Sequence, residues 1–148
     1  MTDLAVFAAL VPADHGLCVL STTRADGTVQ SSVVNAGVLR HPLTDVEVVG
    51  FVAAGGSRKL VNLRADPRAT IVVRAGWQWA TVEGTVDVVG PDDPLVGIDA
   101  DARRVLLRDV FRAAGGTHDD WDEYDRVMAA DRRAVVLITP TRTYTNPG

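Results

Sequence analysis

Apolar and polar residues alternate most regularly between Gln78 and Val89. There Ala80, Val82, Val86 and Val88 share one face, and Thr81, Glu83, Thr85 and Asp87 share the other. A period of two is the mark of a strand with one buried side. Weaker versions of the pattern predict strands at Gly16 to Thr23, Thr28 to Val38, Val46 to Ala53 and Ala69 to Ala75, and a last one at Ala134 to Thr139. Arg24-Ala25-Asp26-Gly27 carries a hairpin signal between the first two, and Pro140 reads as the stop of the last. Helical spacing predicts Asp3 to Leu10 capped by Thr2, Ser57 to Ala65 with Leu60 and Leu63 inward, Asp101 to Ala114, and Asp119 to Ala130. Ala102, Val105, Leu106 and Val110 form the expected buried stripe of the third helix. Many antiparallel strands with a few interposed helices predict an α+β, barrel-like domain. Neither a repeat nor a linker divides the chain, so residues 1–148 read as a single domain.

Composition narrows the possibilities. A chain of 148 residues that is 47% hydrophobic can bury one sizeable core, and no run approaches a membrane span. No export signal is evident, which leads us to expect a cytoplasmic protein with no membrane partner. The lone cysteine, Cys18, sits in an apolar run and reads as a buried small hydrophobe. A net charge of −4 argues against a nucleic-acid partner. One lysine stands against fourteen arginines, with abundant Ala, Val, Asp and Gly, which resembles GC-rich codon usage and leads us to expect an actinomycete-like source.

That lysine, Lys59, lies in Gly55-Gly56-Ser57-Arg58-Lys59, at the first turn of the second predicted helix. Two cations there oppose the helix macrodipole, which favours anions by about 0.3–1 kcal/mol. Thr2-Asp3, Asp92-Asp93 and Thr117-His118-Asp119-Asp120 all place acids at expected helix starts, so only the start at Ser57 is inverted. A bound anion held by backbone N–H groups and both side chains makes such a start favourable. The alternative is a solvated Arg-Lys pair with no role.

Familiar catalytic signatures are missing. No dinucleotide-binding G-x-G-x-x-G, Walker A or G-x-S-x-G motif occurs, and His15, His41 and His118 show no metal-ligand spacing. Chemistry carried by a cofactor fits better than chemistry by a protein nucleophile or a metal. Arg104, Arg108 and Arg112 form an i, i+4, i+8 row. It either pairs with the acidic helix containing Asp119, Asp120, Asp122, Glu123 and Asp125, is simply solvated, or meets an anionic partner or an extended acidic cofactor tail. Trp79, on the polar face of the fifth strand, is either a rim residue or packs on a partner subunit or a flat ligand.

The ordered set from Phe51 to Ala69, with Val82-Glu83-Gly84 and the closing Thr139-Pro140-Thr141-Arg142-Thr143-Tyr144, resembles the pyridoxamine 5′-phosphate oxidase-like family. The resemblance implies a six-stranded antiparallel split β-barrel and a homodimer with a flavin or deazaflavin at each subunit interface. It assigns Ser57, Arg58 and Lys59 to the cofactor phosphate and Val52 and Ala53 to the strand end beside it. Gln30, Ser32, Val34 and Asn35 are assigned to the ring system, with Gln78 and Trp79 reaching the ring from the fifth strand. The pyridoxamine phosphate oxidases proper carry a further C-terminal substrate-phosphate segment that does not follow Tyr144 in this sequence. The short, arginine-rich form resembles the actinobacterial branch that uses the deazaflavin coenzyme F420, with FMN as the alternative cofactor. The implied activity is hydride transfer from reduced deazaflavin to a small conjugated organic acceptor. The rival activities are FMN-linked oxidoreduction on the same fold, or non-catalytic carriage of a flavin, deazaflavin or haem.

Overall fold

The computed structural model describes residues 3–147. Its elements are α1 (Ala5–Leu10), β1 (Leu17–Thr23), β2 (Val29–Arg40), β3 (Glu47–Ala53), α2 (Arg58–Ala65), β4 (Arg68–Ala75), β5 (Gln78–Val89), α3 (Ala100–Ala113), α4 (Trp121–Ala130) and β6 (Ala134–Thr145). The six strands close an antiparallel barrel in the order β1-β2-β3-β6-β5-β4. The expected six-stranded α+β split barrel is therefore what the chain forms. The Thr2 cap lies outside the described residues, although Asp3 Oδ1 does accept the Ala5 N–H at 2.6 Å.

The alternation dictates two apolar layers. Inward residues such as Leu20, Ile71, Val82 and Phe51 fill the barrel, with Phe7 from α1 and Leu60 and Leu63 from α2 joining the same core. Outward apolar residues of β3, β5 and β6 (Val48, Val89, Val135, Leu137) form a second core under α3 and α4. Cys18 is buried as expected, its Sγ 3.3 Å from the Gly16 carbonyl oxygen, and burial pushes the thiol up to about 12. Among the described residues no helix is long and apolar enough to cross a membrane.

Three expectations are corrected. Pro140 does not end the last strand: β6 continues to Thr145, and the register shifts between the Glu83–Arg142 and Gly84–Pro140 pairs, leaving Thr141 as an extra, bulged residue of β6 beside Pro140. A proline, lacking an N–H, is tolerated at such a bulge. The buried stripe of α3 is Leu106, Leu107 and Val110, while Ala102 and Val105 are exposed. The stripe is rotated because α3 must cover the sheet and also receive α4, whose buried Tyr124 donates its hydroxyl to the Leu107 carbonyl at 3.0 Å. Asp92-Asp93 does not start a helix. Asp99 caps α3 by accepting the Ala102 N–H, and Asp93 is held by a two-pronged bond from Arg64 at 2.8 and 2.7 Å.

The arginine row resolves into intramolecular pairing. Arg108 holds both oxygens of Asp125, and Arg104 adds a contact at 3.4 Å. Arg112 departs from the row: it meets Asp109 on its own helix and stacks over the Trp121 ring at 4.3 Å. The Arg108 hydrogen bonds hold Asp125 below the usual carboxylate range. A depressed carboxylate contributes stability that is complete above its unfolded value and is lost as pH falls through the folded one. Asp125→Asn should therefore destabilise the protein at neutral pH and flatten the loss of stability below about pH 4, read by urea unfolding across pH.

Candidate functional site

The site is built where the barrel opens. β2 pairs with β1 from Val29 to Asn35, but its pairing with β3 begins only at Ala36 opposite Phe51. The first part of β2 therefore runs past β3 and presents one unpaired edge beside the connection of residues 54–57. On that connection a Cβ at Gly55 would lie 2.7 Å from the Arg132 carbonyl oxygen, so only glycine lets the turn after α4 press against it. Gly55 also donates its N–H to the Asp131 carbonyl at 3.2 Å. Ser57 then caps α2 through its backbone alone, its side chain making no cap hydrogen bond.

The inverted helix start persists in three dimensions. α2 has no acid in its first turn, and among the described residues neither Arg58 nor Lys59 forms an ion pair. Arg58 is exposed and lines a groove of about 470 Å³ between the β1–β2 hairpin and α2, shared with Arg24, Asp26, Val61 and Asn62. Lys59 is half-buried. The hydroxyls of Ser57 and Ser32 are both buried and have no hydrogen-bond partner among the described residues. Buried polar atoms are almost always paired, and leaving one unmade costs about 1–3 kcal/mol. Two orphan hydroxyls, free helix N–H groups and two unpaired cations together suit a phosphate-bearing ligand with polar atoms along its body.

A buried polar chain that the sequence does not advertise holds this corner together. Asn62 Nδ2 donates to Thr22 Oγ1 at 3.1 Å, and that hydroxyl donates to Gln30 Oε1 at 3.2 Å. Asn62 and Thr22 are 5% and 2% exposed, so the chain ties α2 to β1 and β2 through the core. It commits the Gln30 carbonyl oxygen and leaves the amide nitrogen as the end that can meet a ligand. The only available signal was a lone asparagine on the inner face of a helix.

The remaining assigned residues are dispersed. Ser32 and Val34 face the barrel interior at the open edge, and Val52 and Ala53 end β3 while paired to β6. Asn35 lies on the other face of β2, where its amide donates to the carbonyls of His15 and Ala114, the latter at 3.3 Å. It anchors the turn before β1 and the end of α3. Gln78 and Trp79 begin β5, which lies opposite β2 across the barrel. There Trp79 is a rim residue: its N–H donates to Asn146 Oδ1 at 3.1 Å and its ring packs edge-on against Tyr144 at 6.2 Å. A single protomer does not bring this pair to Ser57.

A closed six-stranded antiparallel barrel with flanking helices, carrying a helix start without acidic residues, is a split-barrel architecture. Consistent with this, the sequence profile of pyridoxamine 5′-phosphate oxidase matches residues 7–146, and the chain belongs to that family. Solved structures share the fold at low identity. A conserved hypothetical protein, Rv2991 from Mycobacterium tuberculosis, is 20% identical with a TM-score of 0.69, over 98% of this chain and 84% of that one. A protein described as an F420 reductase is 18% identical with a TM-score of 0.61, over 92% and 94%. A pyridoxamine 5′-phosphate oxidase-related, FMN-binding protein from Nostoc punctiforme is 16% identical with a TM-score of 0.66, over 96% and 78%.

Proposed function

We propose that the protein is a homodimeric reductase that binds coenzyme F420 and serves a conjugated organic acceptor. The observation that carries the reading is the α2 start, where Arg58 and Lys59 lack counter-charges and the Ser57 hydroxyl is buried without a partner. In this reading Arg58, Lys59 and the first N–H groups of α2 hold the cofactor phosphate, and Ser57 donates its hydroxyl to it. Ser32, Val34 and the Gln30 amide nitrogen border the ring, with Gln30 fixed by Thr22 and Asn62. When bound and reduced, the deazaflavin supplies the hydride, and the chain's task is to bind and orient cofactor and acceptor.

Two features support a second copy. Leu17, Val19 and Val33 are 44%, 45% and 64% exposed on adjoining strands, with Val19 paired to Val33 on one side and to Val72 on the other. An exposed apolar row on a sheet face favours burial against a second copy. Gln78 and Trp79 would also reach a cofactor at β2 only from a partner barrel.

FMN is the second reading, because the same phosphate site serves it and an FMN-binding structure shares the fold. Fluorescence titration with both cofactors separates the two. Saturable micromolar binding of coenzyme F420 is expected, and micromolar FMN binding with no deazaflavin response would reject the first reading. Turnover of reduced deazaflavin with quinones, enones and tetrapyrroles then tests catalysis, and oxidation no faster than background would make the protein a carrier.

A further inference from the structure

A slot of about 320 Å³ lies between α3 and α4, and shares no lining residue with the groove beside Arg58. Its apolar wall is Leu107, Met128 and Ala129, and four guanidiniums rim it: Arg103 and Arg104 from α3, and Arg132 and Arg133 from the turn after α4. Most of this charge is spoken for. Asp125 serves Arg104 and Arg108, Asp92 is bound by Arg132, and Asp131 lies 3.4 Å from Arg133. Arg103 meets no carboxylate; its one partner among the described residues is the Gly90 carbonyl oxygen at 3.5 Å, the limit of a hydrogen bond. The lining itself thus holds four guanidiniums and one carboxylate, Asp125, in a chain whose net charge is −4. Arg132 also adopts φ +50°, a left-handed conformation that costs a residue with a side chain and marks a constrained turn.

An apolar wall with an under-neutralised guanidinium at its rim is complementary to a small molecule with an apolar body and one carboxylate. We propose that this slot binds a small amphipathic carboxylate, its body against Leu107, Met128 and Ala129 and its carboxylate on Arg103. The volume is at the lower end for ligand pockets and fits a single-ring or medium-chain acid. The proposal goes beyond the redox reading and does not depend on it.

Met128 gives a direct probe, since Met1 is the only other methionine. The ¹³C-labelled methionine methyl signals of the full chain are followed while 4-phenylbutyrate is added. A saturable shift of the Met128 signal is expected, with affinity roughly tenfold weaker for the neutral 4-phenylbutanol and for Arg103→Gln. Ala129→Phe, which fills the slot, should abolish the shift while leaving the melting temperature near that of the parent protein. No saturable shift at millimolar 4-phenylbutyrate would overturn the proposal, and so would equal affinity for acid and alcohol or an unchanged Arg103→Gln.

Discussion

Lys59→Ala or Arg58→Ala should each weaken cofactor binding by about 1.5–3 kcal/mol, the range for a hydrogen bond to a charged group. That is roughly a tenfold to hundredfold rise in Kd by fluorescence titration. The melting temperature should hardly move, because neither side chain forms an ion pair among the described residues and Arg58 is exposed. Removing a cation from the first turn even relieves a small opposition to the helix dipole. An unstable variant with intact affinity would reverse the assignment and make these residues structural. Affinity unchanged in both variants would remove the phosphate site from the account.

Phe51→Ala has the larger effect on stability. Phe51 is fully buried in the barrel core and lies between Ala36 of β2 and Val136 of β6, at the last rung before β2 and β3 part. Large-to-small changes of this kind cost about 3–5 kcal/mol, from lost transfer energy plus the cavity left behind. For a domain of this size that lowers the melting temperature by roughly 10 °C or more. Because the cavity opens next to the strand end that carries Val52, Ala53 and the loop to Ser57, cofactor affinity should fall with it. A calorimetric melt within a degree or two of the parent protein would show that the barrel repacks there.

The strands were legible because period-two alternation records which side of a sheet is buried, and β5 shows it most cleanly. Local signals mislead where tertiary packing overrides them. Pro140 looks like a terminator until a bulge opposite Gly84 accommodates it. The stripe of α3 shifts to Leu107 because a second helix claims that residue, and no periodicity within α3 announces α4.

The candidate site divides the same way. Ser57, Arg58 and Lys59 could be singled out from charge order alone, since a helix start with the wrong sign is visible in sequence. The Asn62–Thr22–Gln30 chain could not, because its members come from three separate elements that meet only when the barrel closes. Asn35 illustrates the converse: a polar residue beside Ser32 and Val34 reads as a ring contact, yet strand alternation turns it to the opposite face. Gln78 and Trp79 depend on barrel order, which sets β5 opposite β2 and so separates them from the proposed site within one barrel.

The decisive measurement is a crystal structure of the protein grown with coenzyme F420. The account predicts the cofactor's phosphate within hydrogen-bond reach of Arg58, Lys59 and the Ser57 hydroxyl, with its ring along the open edge of β2. A cofactor bound elsewhere, with the tips of Arg58 and Lys59 in bulk solvent and the Ser57 hydroxyl still unpaired, would contradict it.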